Sequence, residues 1–375
     1  MNRKLFYGLL APLVAAVAAV LVSSIALLIS DNSPATAFLE MWKQIDSTES
    51  VVSIVNRAVP YYIAGVAVAV GFKMNLFNIG VNGQYVLAAL LAAAVGAAVS
   101  LPAPLHVALI IGVAVVTGMM WAAIPALLKV TRNVNEVIST IMLNYVATNL
   151  VAYLLKNHFD RGTGMVAETA RLEPSARIPS LNTIVEATGF NFSPGVILQG
   201  FLPVAILLGV GYHLLLNRSR FGFDLRISGQ SPTAARSSGV NPKRMVMITM
   251  MLSGAIAGLV GMAPLMADPQ YHKFGDQFPT EIGFTGLSLA LLGRNHPVGI
   301  AAAAIVWATI ERATQRLSFI DIPQEIGTIL QGSFLLAAVI AYEVVRRRAD
   351  EAETRAMAQR IPVPPSAAPT AGAVP

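Results

Sequence analysis

Residues 77–84 read FNIGVNGQ, between the apolar stretches AGVAVAVGFKMNL and YVLAALLAAAVGAAV. Asn78, Asn82 and Gln84 carry amides, which both donate and accept hydrogen bonds. Each costs roughly a few kcal/mol if buried in hydrocarbon without a partner. Their chemistry is therefore recognition: they satisfy exposed backbone or line a polar path. Gly80 and Gly83 permit an irregular or broken helix start at this point.

A second stretch, 217–244, is basic and reads NRSRFGFDLRISGQSPTAARSSGVNPKR. Pro232 suits the first turn of a short helix, and Ser231 before it is a good cap. TAARSSG makes about two turns and ends at Gly239, a natural terminator. Asn241-Pro242 then restarts the chain into the next span. A short helix held between two spans is a suitable lever for a partner protein. The competing role is a solvated basic loop.

The sequence lacks the motifs of most other chemistries. It contains no Gly-Lys pair and hence no Walker A loop, so it does not bind ATP by a P-loop. HExxH and GxSxG are absent, and the five histidines (106, 158, 213, 272, 296) show no ligand spacing. There is no cysteine, which excludes disulfides and Cys-based metal sites. No set of acids, bases and nucleophiles can be assembled into an enzyme, and no filter sequence marks a channel. Carriers driven by an ion gradient often use intramembrane acids. Glu136, Glu281 and Glu325 stand at span ends and keep an ion-coupled secondary transporter as the alternative.

These residues must be positioned by membrane spans. The chain of 375 residues is 55% hydrophobic and 12% charged, against about 25% charged in a soluble domain. Spans of about 20 apolar residues fall at 7–29, 51–72, 79–101, 104–129, 135–156, 194–216, 243–266, 281–293, 297–317 and 324–345. The first is longer than the apolar region of a signal peptide and is expected to remain as a helix. The eighth is too short to cross as an ordinary helix, which suits a half-helix or re-entrant segment.

With the N-terminus inside, Lys73, Lys129, Arg132, Arg294 and Arg346–Arg348 fall on the cytoplasmic side. The 217–244 connection falls there too, with Arg218, Arg220, Arg226, Arg236, Lys243 and Arg244 against Asp224 alone. The acid-rich 30–50 connection, the mixed 157–193 connection, Asp268 and Asp276 fall outside. The expected fold is an all-α integral membrane protein of about ten helices, eight to ten, with both termini cytoplasmic. It divides into 1–50 (first helix and external connection), 51–345 (core) and 346–375 (a disordered cytoplasmic tail).

Two segments echo each other. NIGVNGQYVLAALL near residue 80 resembles EIGFTGLSLALLG near 283, and NEVISTIML (135–143) resembles QEIGTIL (324–330). Each pair is five spans apart, so the halves would be inverted, an arrangement used by transporters with the substrate path at the repeat interface. SGAIAGLVG places Gly254 and Gly258 four apart, which suits close helix packing.

Four blocks in order carry a family resemblance: FNIGVNGQ, NVNEVISTIMLNYVA, FGFDLRISGQSPTAARSSGVNPKRMVMITMMLSGAIAGLVG and GFTGLSLALLGRNHPVGI. From about 51 to 345 the chain resembles the membrane permease subunits of bacterial ABC importers. The branch is that of simple sugars and nucleosides within the branched-chain amino acid/ribose-type family. It departs from the family pattern at Asn82, where Glu is usual, and at Ile227-Ser228.

The resemblance implies a multi-pass protein of the bacterial cytoplasmic membrane, in contact with lipid. Its expected partners are a second, homologous permease, two ATPase domains and an extracytoplasmic substrate-binding lipoprotein. ATP and Mg would sit on the ATPase, with no cofactor on this chain, no metal and no nucleic-acid partner. The ATPase would couple through Asp224, Arg226, Gly229, Pro232, Arg236, Gly239 and Asn241. The implied substrate is a nucleoside, or a simple sugar such as ribose.

Such a solute suits amides for its hydroxyls and an aromatic face for a base. The candidate path is Asn75, Asn78, Asn82, Gln84, Asn135, Asn144, Tyr145, Asn149 and Gln331. Asn144 and Asn149 diverge by about 140° at 3.6 residues per turn and cannot both face one pore. Hydrogen bonding between helices is the competing role for each of these positions.

Overall fold

A computed structural model describes residues 3–162, 166–189, 192–323 and 325–358. Fifteen α-helices follow in order: α1 (Arg3–Ile29), α2 (Pro34–Ile45), α3 (Thr48–Phe72), α4 (Val81–Ala98), α5 (Ala103–Arg132), α6 (Glu136–Leu154), α7 (Asn182–Glu186), α8 (Leu202–Asn217), α9 (Arg220–Gln230), α10 (Pro232–Ser237), α11 (Pro242–Gly258), α12 (Met262–Ala267), α13 (Ile282–Leu292), α14 (Pro297–Thr314) and α15 (Glu325–Ala358). Among the described residues the β-structure is a single isolated bridge, Glu168 to Gly275.

The chain forms two compact units. α1 and nearly all of α15 make one of them. Within them Ser24 Oγ donates to the Val20 carbonyl at 2.7 Å and Ser333 Oγ to that of Ile329 at 2.7 Å, while buried Ser23 Oγ has no hydrogen-bond partner. α15 continues to Ala358, so 346–358, expected in a disordered tail, is helical. Ala, Glu and Arg dominate RRRADEAETRAMA and are strong helix formers. Residues 359–375 lie outside the described residues.

The second unit, 32–327, holds α2 to α14. Among the described residues, five helical segments are long and apolar enough to cross a membrane: Thr48–Phe72, Val81–Ala98, Ala103–Arg132, Glu136–Phe159 and Pro242–Ala267. The bent pair α8–α9, with 67° between its parts, would make a sixth. Their burial separates an inner from an outer layer: 61%, 72% and 67% for the α3, α4 and α11–α12 segments, against 22% and 28% for α5 and α6. Ala64, Ala67, Tyr85, Ala89, Met250 and Met262 lie in the inner core.

The small residues act as spacers. A Cβ on Gly254 would strike the backbone of Gly118, and one on Gly258 the backbone of Ala114, so α5 and α11 approach closely along this seam. Met245 and Met250 are buried. Three differences from the sequence-based expectation are local. The span expected at 243–266 breaks at 259–261 between α11 and α12. The 30–50 connection contains α2, started by Ser33 with Pro34 in its first turn. The 157–193 connection is pinned to 268–275 through Thr169 N–H to Phe274 O (2.8 Å) and Leu172 N–H to His272 O (2.7 Å).

Candidate functional site

The polar stretch at 77–84 is a helix break that its own side chains close. α3 ends at Phe72, and α4 begins only at Val81. Asn78 and Gln84 form a reciprocal amide pair, each NH₂ donating to the other's carbonyl oxygen at 3.0 Å. Asn78 also donates to Ser253 Oγ at 2.8 Å and accepts from Gly80 N–H at 3.1 Å. Ser253 Oγ in turn donates to the Ala67 carbonyl at 2.6 Å. Asn144, from α6, accepts from Gly83 N–H at 2.9 Å and donates to the Ile79 carbonyl at 2.9 Å. Asn78, Gln84 and Asn144 are 0%, 1% and 4% exposed. The groups that looked costly are paired, and they satisfy backbone that the break leaves open.

Asn82 differs. It is buried, yet its Oδ1 has no hydrogen-bond partner. It lies where α4 meets the start of α13: a Cβ on Gly283 would come within 2.9 Å of the Asn82 Cβ. Ile282 N–H donates to Tyr85 Oη at 3.3 Å, and that hydroxyl donates to the Pro279 carbonyl at 2.9 Å. The starts of the two helices are therefore in backbone contact, and the space between them is closed.

The basic connection folds as its caps dictate. α10 covers 232–237, with Ser231 Oγ accepting from Ala234 N–H at 3.2 Å and Pro232 in its first turn. Gly239 takes φ +78°, and Val240 N–H closes the turn on Ala235 O at 2.9 Å. Asn241 Oδ1 caps α11, accepting from Lys243 N–H (3.1 Å) and Arg244 N–H (3.2 Å). Pro232, Arg236 and Gly239 are exposed, while Ala235 is buried.

This segment is fastened to the break. Asn75, at φ 55°, donates from Nδ2 to the Gly229 carbonyl at 2.9 Å. A Cβ on Gly229 would lie 2.6 Å from the Met74 carbonyl, so only glycine fits. Half-buried Arg226 donates to the Leu216 carbonyl, and Asp224, two residues earlier on α9, is also half-buried. Burial lowers the Lys73 pKa, with the nearby Arg226 charge adding to the effect.

A cavity of 540 Å³ opens at the opposite end of α3, between that helix, α14, the connection 195–199 and the stretch 264–282 from α12 to the start of α13. Arg57 pairs with Glu311 at 2.6 Å, and Tyr61 Oη donates to the other oxygen of Glu311 at 2.7 Å. Asn56 holds the 195–199 connection through Ile197 O (2.7 Å) and Gln199 N–H (2.9 Å). Gln199 Nε2 donates to Asp268 at 3.0 Å. The volume is that of a small-molecule pocket, about 300–1,000 Å³.

Of the nine residues expected along a path, the structure gathers Asn78, Asn82, Gln84 and Asn144 at the break. Asn75 sits at the α9 contact instead. Asn135 caps α6 by accepting from Val137 N–H at 2.8 Å. Tyr145 is 66% exposed on the outer face of α6, and Asn149 there donates to the Tyr145 carbonyl at 2.8 Å. Gln331 is half-buried on α15, in the other unit. Among the acids considered for ion coupling, Glu136 is buried and paired with Lys129 at 2.6 Å, while Glu281 and Glu325 are exposed. The cavity residues were missed. Their signal was a charge within each of two expected spans, Arg57 in 51–72 and Glu311 in 297–317.

Paired amides at a helix break, a solute-sized cavity and an exposed short helix between two spans suit movement of a solute through the bilayer. The class is a multi-pass membrane permease, a transport subunit and not an enzyme. Residues 50–339 match the family described as branched-chain amino acid transport system / permease component, and the chain belongs to it. The chain is 32% identical over 342 residues to the guanosine ABC transporter permease protein NupP of Bacillus subtilis, covering 90% of this chain and 94% of that one. It is 33% identical over 307 residues (82% and 80%) to the glucose ABC transporter permease protein TsgB13 of Haloferax volcanii. It is 26% identical over 361 residues (93% and 96%) to the nucleoside ABC transporter permease protein NupB of Lactococcus lactis. No solved structure matches.

Proposed function

We propose that this chain is the membrane subunit of an ABC importer that brings nucleosides across the bacterial cytoplasmic membrane, with both termini cytoplasmic. The carrying observation is the α9–α10 segment: a capped, exposed short helix fastened by Asn75 and Gly229 to the break between α3 and α4. A lever so placed turns motion of a docked ATPase into motion of the α4 start. The docking residues are Asp224, Arg226, Gly229, Pro232, Arg236, Gly239 and Asn241, and ATP and Mg belong to the ATPase. A second permease, two ATPase domains, a binding lipoprotein and the surrounding lipid complete the assembly.

The substrate class rests on the relatives. NupP and NupB are named for guanosine and nucleosides; the glucose permease keeps a simple sugar second. An inverted repeat over about ten helices is supported by the contact of Gly283 with Asn82, since the two echoing segments meet there. The experiment is nucleoside uptake and ATP hydrolysis by the assembled transporter carrying Arg236→Ala or Gly239→Val. Both variants should hydrolyse ATP without matching uptake. Normal uptake in both would remove the coupling assignment.

A further inference from the structure

We infer that the cavity between α3 and α14 is a substrate-docking site that takes an unphosphorylated nucleoside. The inference rests on the permease reading and adds the place and the chemistry. Two aromatic rings line the cavity, those of Tyr61 and Tyr271, and supply flat faces for a purine or pyrimidine. Glu311 and Asp268 supply carboxylate oxygens that accept from vicinal ribose hydroxyls, and Gln270 adds an amide. A nucleoside has both parts, a flat base and a hydroxylated ring, and it fits within 540 Å³.

Charge excludes the phosphorylated form. Arg57 is the cation in the lining, and it already faces Glu311 at 2.6 Å. Glu49, also in the lining, faces Arg312 from outside it at 3.9 Å. Asp268 accepts from amide donors alone in the described contacts, Gln199 Nε2 at 3.0 Å and the Gln270 N–H at 2.9 Å. The site offers a phosphate no spare cation and one uncompensated carboxylate. Like charges brought together near a protein surface repel.

The cavity also ends where a waiting site should. Pro279 and Ile282 line it, and both bond to Tyr85 Oη. One residue beyond Ile282, Gly283 is pressed against Asn82. The ligand rests above a closed contact between the starts of α4 and α13.

The absence of cysteine makes the test direct. Ser53→Cys places one thiol in the lining, and Gln270→Cys is a second reporter if the first transporter fails to assemble. The assembled transporter in proteoliposomes is labelled from outside with a membrane-impermeant maleimide, and ATP-driven guanosine uptake is measured on the same preparation. Guanosine should slow labelling several-fold, whereas guanosine 5′-monophosphate and glucose should not. Glu311→Gln should raise the half-protecting concentration about tenfold or more, the worth of a charge-assisted hydrogen bond. Uptake with unchanged labelling would overturn the docking site and leave the permease reading standing. Equal protection by the monophosphate, or by glucose, would overturn the ligand class. Neither uptake nor protection would overturn both readings.

Discussion

The break at 77–84 and the outer cavity both put polar groups inside an apolar chain, and they use them oppositely. At the break, Asn78, Gln84 and Asn144 turn their amides onto each other and onto backbone, and almost nothing remains for a solute. In the cavity, Arg57, Glu311 and Tyr61 are also bonded, but they line 540 Å³ of open space. Polarity within a membrane span thus has two meanings. One is full burial with reciprocal partners, and the other is partial exposure around a void.

The strongest way to break that contrast is Asn78→Leu. It leaves the Gln84 amide, the Gly80 N–H and Ser253 short of a partner, at about 1–3 kcal/mol each. The protein should accumulate poorly and lose the most thermal stability of the variants considered, as read by unfolding in detergent. Glu311→Gln should accumulate normally, because an ion pair that is one-third exposed contributes about 1 kcal/mol or less. A stable Asn78→Leu protein that fails to transport would instead make the break part of the path.

Asn75→Ala sharpens the link between the break and the lever. It removes one hydrogen bond to Gly229, worth about 1 kcal/mol, and puts Ala at φ 55°. Unfolding should shift by a few degrees, while uptake per ATP hydrolysed falls further than stability does. Equal losses in both would reduce Asn75 to a local turn residue. The smallest effect belongs to Tyr145→Phe on the outer face of α6: guanosine uptake should match wild type within error, and a marked loss would return Tyr145 to the path.

Legibility in the sequence followed the distance between partners. The short helix α10 was readable because its determinants are neighbours: Ser231 and Pro232 start it, Gly239 ends it and Asn241 caps α11. Simple helix geometry likewise separated Asn144 from Asn149, and the structure buries one and turns the other outward. At the break, the sequence showed that the amides needed partners. It did not show which, because Asn144 and Ser253 arrive from α6 and α11. The cavity was not legible as a site, since α3, α14 and two connections build it from distant segments. The helical extension to Ala358 was hidden by its charge, which suggests disorder, although Ala, Glu and Arg there favour a helix.

In the proposed reading, this chain moves its substrate under the power of a partner ATPase. The most direct measurement is guanosine uptake in cells whose partner ATPase has lost its Walker lysine, with the proton gradient intact. Uptake should stop, although the permease is still present in the membrane. Uptake that continues without a working ATPase, and collapses when the proton gradient is dissipated, would contradict it.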